Sequence, residues 1–168
     1  MRKLIRAYVK DIPLPEDRIT PDDRDFLYGS IGYLKGSEGN IEHCIIGEIL
    51  ESTEDSFKPN FWVWLPENLI DLFSGRLDEN SMPIYEKDII RFFFLDNQDD
   101  NIFYFDYYLM YNKDKLCFEC ITKTGMAETF ENVVNLHASD SMYLYIKKIG
   151  DMRNDHVKFF GSGIEKRF

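Results

Sequence analysis

The fold is decided by residues 73–94, FSGRLDENSMPIYEKDIIRFFF, which read as a turn, a short extended piece, a second turn and the first strand of a small β-domain. The segment before it, PENLIDLFS at 66–74, offers Pro66 for a first helical position and apolar Leu69, Ile70, Leu72 and Phe73. Gly75 then stands where a helix C-cap wants a positive φ, which predicts one short helix ending there. Asp78, Asn80 and Ser81 carry side-chain oxygens able to bond backbone amides two residues on, the chemistry of a turn. After Pro83, Ile84 and Tyr85, the charged Glu86-Lys87-Asp88 leads into a nearly unbroken apolar run, Ile89 to Leu95. A charged turn followed by β-branched and aromatic residues is a strand start.

Downstream, residues 96–101 (DNQDDN) resemble a calcium loop. They lack its sixth-position glycine and twelfth-position glutamate, where Asn101 and Tyr107 stand, so a hairpin turn between strands 88–95 and 102–110 is the better reading. The second of these strands, IFYFDYYLM, is aromatic enough to require cover on both faces. Asn112-Lys113-Asp114-Lys115 makes the next turn and LCFECIT (116–122) the third strand. Residues 126–138 read as a strand followed by a helical turn without a decision between them, YLYIKKI (143–149) is the closing strand, and 152–168 is a flexible tail or a docking arm.

Upstream, RKLIRAYV (2–9) alternates charged and apolar residues as a strand with one buried face. Residues 11–25 form a charged, proline-rich loop. Arg24 within the acidic run 22–25 argues for a solvated turn rather than a metal cage. FLYGSIGYL and IEHCIIGEIL, separated by KGSEGN, read as a β-hairpin whose glycines lack the lysine placement of a phosphate-binding loop. His43 on this hairpin is taken as structural or exposed. In the aromatic strand FWVWL (61–65), Trp62 and Trp64 share one face and are expected to anchor the N-terminal core, with a partner surface as the alternative.

The central stretch resembles the signature of the YopX family of phage and prophage proteins. Phe73, Ser74, Gly75, Asp78, Asn80, Ile84, Tyr85, Glu86, Asp88, Ile89 and Ile90 fall on that pattern without a gap. Arg76 stands where leucine is usual, and Ser81 and Lys87 stand where glycines are usual; serine and lysine tolerate a positive φ less readily than glycine. Arg6-Ala7 before an aromatic, and Ile149-Gly150-Asp151 near the other end, are similar to the family's opening and close. The resemblance implies an SH3-like barrel for the C-terminal half and brings no agreed biochemical activity. The expected architecture is therefore mainly β: an N-terminal β-rich part at 1–72, an SH3-like barrel part at 73–151 with one short helix between them, and a tail or arm at 152–168.

The chain has 168 residues, 14 Phe and 10 Tyr, enough to bury a real core and aromatic enough to favour strands. A net charge of −10 argues against direct nucleic-acid binding, which needs a basic face. No apolar run reaches a membrane span and no apolar leader follows the charged start, so a protein of the bacterial host cytoplasm is expected. Cys117 and Cys120 form a CxxC, but on a strand i and i+3 point to opposite faces, so buried thiols are expected rather than zinc or redox chemistry. No residue is assigned to catalysis, a cofactor or a metal.

Surface candidates are Tyr85, Glu86, Asp88 and Arg91. The two carboxylates, two apart, are expected mainly to shape the turn, Asp88 by bonding its own backbone. The preferred functional reading is a non-enzymatic phage or prophage accessory protein, a homo-oligomeric module binding a host or phage protein. Its alternatives are an enzyme or nucleic-acid-processing factor using Glu86, Asp88 and Arg91 in one pocket, and an acidic DNA mimic.

Overall fold

The computed structural model describes residues 5–14, 19–35, 39–96 and 102–161, and the chain divides into two compact units, Met1–Phe73 and Ser74–Phe168. It is mainly β, as its alternating apolar runs require.

The first unit is built on an antiparallel sheet. Its strands are β1 (Ile5–Tyr8), β2 (Phe26–Lys35), β3 (Ile41–Ile46), β6 (Trp62–Leu65) and β7 (Ile70–Leu77), in the order β6-β3-β2-β1-β7. Between β3 and β6 lies the hairpin of β4 (Ile49–Ser52) and β5 (Phe57–Pro59). Ile5, Ala7, Leu27, Ile45, Val63, Leu65 and Ile70 make one apolar cluster from the inward face of these strands. The acidic run ahead of β2 is a turn, as expected. Asp22 Oδ1 accepts the amides of Arg24 at 3.0 Å and Phe26 at 2.8 Å, and its Oδ2 accepts the Tyr28 hydroxyl at 2.7 Å.

The short helix expected at 66–74 reduces to one 3-10 turn, Glu67–Leu69, and Ile70 begins β7. The reason is tertiary. Ile70, Asp71 and Leu72 pair with Ala7, Arg6 and Ile5 of β1, and a short apolar run carries no periodicity strong enough to resist that pairing. Asp71 Oδ2 accepts from Arg6 Nε at 2.9 Å, and both side chains are fully buried. The guanidinium also lies over the Phe26 ring at 4.2 Å, so the buried cation has both a counter-charge and a π face. Gly75 does take a positive φ of 84°, but inside the strand rather than at a helix end.

In the second unit, the end of β7 neighbours β8 (Pro83–Tyr85). A second sheet contains β9 (Asp88–Asp96), β10 (Ile102–Asn112), β11 (Cys117–Ile121), β12 (Ala127–Thr129) and β13 (Ser141–Asp151), ordered β12-β11-β10-β9-β13. That order begins at β12 and ends at β13. The closure implied by an SH3-like barrel is thus not part of the hydrogen-bonded pairing among the described residues. The turn joining β9 to β10 lies outside the described residues.

Residues 126–138 resolve into β12 followed by α1 (Phe130–Asp140), whose start is capped by Thr129 Oγ1 accepting the Asn132 amide at 3.2 Å. Phe130 and Val133 enter a core with Ile84, Ile90, Phe92, Phe94, Tyr107, Leu109, Cys120 and Ile146. Phe92 meets Tyr107 and Phe130 edge-on, at 5.6 and 6.0 Å between ring centroids. Each fully buried aromatic there is worth about 1.5–3 kcal/mol over exposure.

Residues 152–161, expected within a tail or arm, form α2 (Met152–Gly161), and 162–168 lie outside the described residues. Asp151 is the helix cap. Its Oδ1 accepts the amides of Arg153 and Asn154 at 3.1 and 3.0 Å, while Asp155 Oδ2 accepts the Asp151 amide at 3.2 Å. Gly150 makes room for this exchange, because a Cβ there would lie 2.6 Å from Asp155 Oδ2. Phe159 is buried and meets the Tyr108 ring at 5.7 Å, which ties the helix down.

The two turns of the central stretch take the conformations glycine would favour. Ser81 has φ 62° and Lys87 φ 65°. Asp78 Oδ1 accepts the amides of Asn80 at 2.8 Å and Met82 at 2.9 Å. Lys87 donates its amide to Leu109 O at 2.6 Å and accepts the Met152 amide at 2.8 Å. These backbone bonds hold both turns with no glycine at either position.

A candidate protein-docking surface

The candidates of the central stretch do not converge. Tyr85 and Asp88 are buried, and Asp88 Oδ2 accepts the Tyr85 amide at 2.8 Å across the turn. Its other oxygen, Oδ1, is 3.0 Å from Lys148 Nζ. Glu86 is half-buried in the same turn. Asp88 shares its parity on β9 with Ile90 and Phe92, whereas Arg91 sits on the opposite face. There Arg91 Nε and Nη2 grip Asp106 Oδ1 and Oδ2 at 2.7 and 2.9 Å, and its guanidinium lies 3.6 Å from the Tyr104 ring centroid. The sheet therefore separates Arg91 from Asp88, and the two serve as internal ties rather than as one pocket.

The CxxC cysteines also part. Cys120 is fully buried and Cys117 half-buried, and burial pushes the Cys120 thiol well above its ordinary pKa. Burial likewise raises the phenol of Tyr107. Among the described residues no three His, Cys, Asp or Glu side chains are grouped to hold a metal.

The exposed chemistry lies in the first unit. Beyond β3 and β6 the hairpin continues through a short irregular join at 47–48 and 60–61, with a register shift between Ile49 and Glu51. Gly47 donates its amide to Phe61 O at 3.0 Å and Asn60 donates to Glu48 O at 2.7 Å, joining that pair to β4 and β5. Residues 41–65 thus form one long two-stranded arm, closed at its tip by Thr53, whose amide bonds Ser56 O at 2.8 Å and whose hydroxyl meets Ser56 Oγ at 2.8 Å. At the base of the arm one face joins the core through Ile45, Val63 and Leu65. The other face, and the distal half, present Ile49, Leu50, Phe57, Trp62 and Trp64 to solvent.

Trp62 and Trp64 are 60% and 44% exposed, so they do not anchor the core as expected. They do share a face. Alternation along β6 sends Val63 and Leu65 inward, and the indoles are left outside beside their cross-strand partners Ile46 and Cys44. Gly32 on β2 lets those two side chains lie flat, since a Cβ there would be 2.7 Å from both Cys44 Sγ and Ile46 Cδ1. At the end of β6, Ile41, Glu42, His43, Trp64, Leu65, Pro66 and Glu67 line an open groove of about 490 Å³. His43 is half-buried there, with its ring 5.3 Å from that of Tyr33.

No protein-family model, curated protein or solved structure matches this chain. Among the described residues no helix is long and apolar enough to cross a membrane. The arm's distal half escaped the sequence reading, although its signal is present: Ser52-Thr53-Glu54-Asp55-Ser56 is a turn-forming run set between Ile49-Leu50 and Phe57.

Proposed function

We propose that this chain is a non-enzymatic protein-binding module, an accessory protein of phage or prophage type that works in the cytoplasm of a bacterial host. The observation that carries the reading is the outward placement of both tryptophans of the chain on an arm that also exposes Ile49, Leu50 and Phe57. Two exposed indoles side by side on one strand face, with further apolar side chains exposed along the same arm, mark a surface that another protein covers, and tryptophan is among the side chains most enriched at the energetic centre of such contacts. The resemblance of residues 73–94 to the YopX signature supports the phage or prophage origin and the SH3-like reading of the second unit. Self-association is the second part of the proposal, placed at β10 of the second unit, which exposes Ile102 on one face and Phe105 on the other. An enzymatic reading finds less support, because Arg91 is engaged by Asp106 on the face of β9 away from Asp88.

The test uses the fact that the only two tryptophans both report on the arm. Acrylamide quenching of the free protein should find both indoles open, and light scattering at low and high salt should give an oligomer whose mass falls in the Ile102→Ser variant. A monomer with quencher-inaccessible tryptophans would refute the docking reading, since the chain would then be covering its own surface.

A further inference from the structure

Resting on that reading, we infer that the outer edge of β6 takes up an extended peptide segment of alternating basic and apolar residues, added to the sheet as a further strand. Three observations meet there.

The first is topological: among the described residues β6 is the terminal strand of its sheet, with no strand paired to its outer edge. An edge strand presents backbone donors and acceptors that a guest strand pairs with, while alternate side chains set specificity. Pro66 follows Leu65 directly, so the receptive edge is the four residues Trp62–Leu65.

The second is the pair of indoles. Being two apart, they stand roughly 7 Å from each other along the strand. Every second side chain of a paired guest would then come within cross-strand contact of an indole face. Tryptophan is the best π partner for a lysine or arginine cation.

The third is charge. Residues 39–69 hold six acidic side chains, Glu42, Glu48, Glu51, Glu54, Asp55 and Glu67, against the single base Lys58. That stretch supplies −5 of the chain's −10, all six carboxylates are exposed, and Lys58 is itself 3.2 Å from Glu51. Two of the acids, Glu42 and Glu67, line the groove at the end of β6. A second copy brought edge to edge would set two acidic rims against each other, and like charges across an interface suppress a partner. A basic strand meets the same rim favourably. The apolar positions of the guest are those facing Val63 and Leu65, whose side chains enter the core side of the sheet.

The experiment titrates the full-length protein with three synthetic octapeptides: an alternating Lys-Val peptide, its Glu-Val counterpart, and a Lys-Val peptide N-methylated at alternate amides. The signal is fluorescence of the two tryptophans, repeated by anisotropy of labelled peptide. The Lys-Val peptide should bind saturably and shift the emission, and the Glu-Val peptide should bind at least tenfold more weakly. The N-methylated peptide, which keeps the charge but cannot pair as a strand, should also lose at least tenfold. In the anisotropy assay the double variant Glu42→Lys/Glu67→Lys should narrow the preference for the basic peptide, with unchanged circular dichroism confirming its fold.

Equal binding of the N-methylated and plain peptides would overturn strand addition and leave only charge attraction. Failure of the Lys-Val peptide on a protein whose indoles remain open to acrylamide would overturn this inference while leaving the docking surface itself in place. Indoles shielded in a salt-resistant oligomer would assign the edge to a second copy instead, and indoles closed in a monomer would refute both readings.

Discussion

Replacing Ser81 by glycine should stabilise the second unit, although it removes a side chain and adds nothing. Ser81 holds φ 62° in the turn after Asp78, and Lys87 holds φ 65° in the turn before β9. A left-handed residue other than glycine costs about 1–2 kcal/mol, and glycine loses about 0.5–1 kcal/mol of extra backbone entropy on folding. The difference leaves a gain of about 0.5–1 kcal/mol for Ser81→Gly. The bonds that hold the turn survive the exchange, because Ser81 contributes its backbone amide to Asp78 O at 3.0 Å and the side-chain acceptor belongs to Asp78. For a domain of this size, about 4–8 °C per kcal/mol turns the gain into a melting rise of about 2–8 °C.

Gly75 supplies the mirror experiment. Its φ is 84° and a Cβ there would meet nothing within 4 Å, so Gly75→Ala isolates the backbone cost without a clash and should lower stability by about 1 kcal/mol. Urea unfolding followed by far-UV circular dichroism and tyrosine absorbance reads both, with an unchanged m-value as the sign that the denatured state is not the cause. A lower midpoint for Ser81→Gly, or no change for Gly75→Ala, would refute the argument that positive φ governs these turns.

Three further outcomes are expected. Arg6→Met strands a fully buried Asp71 and should cost about 3–5 kcal/mol, whereas the double variant Arg6→Met/Asp71→Leu should recover most of that loss in chemical denaturation. Gly150→Ala forces Asp155 away from the amide of Asp151 and should loosen α2, seen as faster hydrogen exchange in residues 152–161 while β9 stays protected. On acidification, Glu119 and Glu128 matter. The hydrogen bond from Lys115 at 2.8 Å holds Glu119 below the ordinary carboxylate value of 4.5, and Asn132 at 2.7 Å does the same for Glu128. A folded-state pKa below the unfolded one gives stability that is present above pH 4.5 and lost as pH falls through the folded values. The variant Glu119→Gln should therefore lose stability at neutral pH and show a flatter decline below it, measured as melting temperature against pH.

How legible all this was depends on the range over which the deciding contacts act. The strands read at 88–95, 102–110 and 116–122 announced themselves as apolar and aromatic runs between polar turns such as that at Asn112, and Asp88 was readable as a turn support because its bond to the Tyr85 amide spans three residues. Its second partner, Lys148, was not readable, since only the β9 to β13 register brings the two together. The misread helix at 66–74 has the same origin: its residues have helix-compatible patterning, and the pairing of Asp71 with Arg6 decides otherwise. For Trp62 and Trp64 alternation revealed a shared face but not which face the core occupies, a fact that resides in β3 and β2. The cap of α2 was visible in principle, as an aspartate after glycine heading MRND. What the sequence did not show is that Phe159 is buried and so holds residues 152–161 as a docked helix rather than a tail.

The burial of Arg6 against Asp71 also constrains the order in which the chain can be made. During synthesis β1 leaves the ribosome before β7, yet it lies between β2 and β7 in the finished sheet, and its counter-charge follows 65 residues later. Until Asp71 emerges, a cation in the middle of β1 must stay in water, because an unpaired buried charge costs more than the surrounding apolar contacts return. β1 is therefore expected to take its final place only once β7 has been translated. One ion pair thus links the seating of β1 to a strand that follows it by 65 residues.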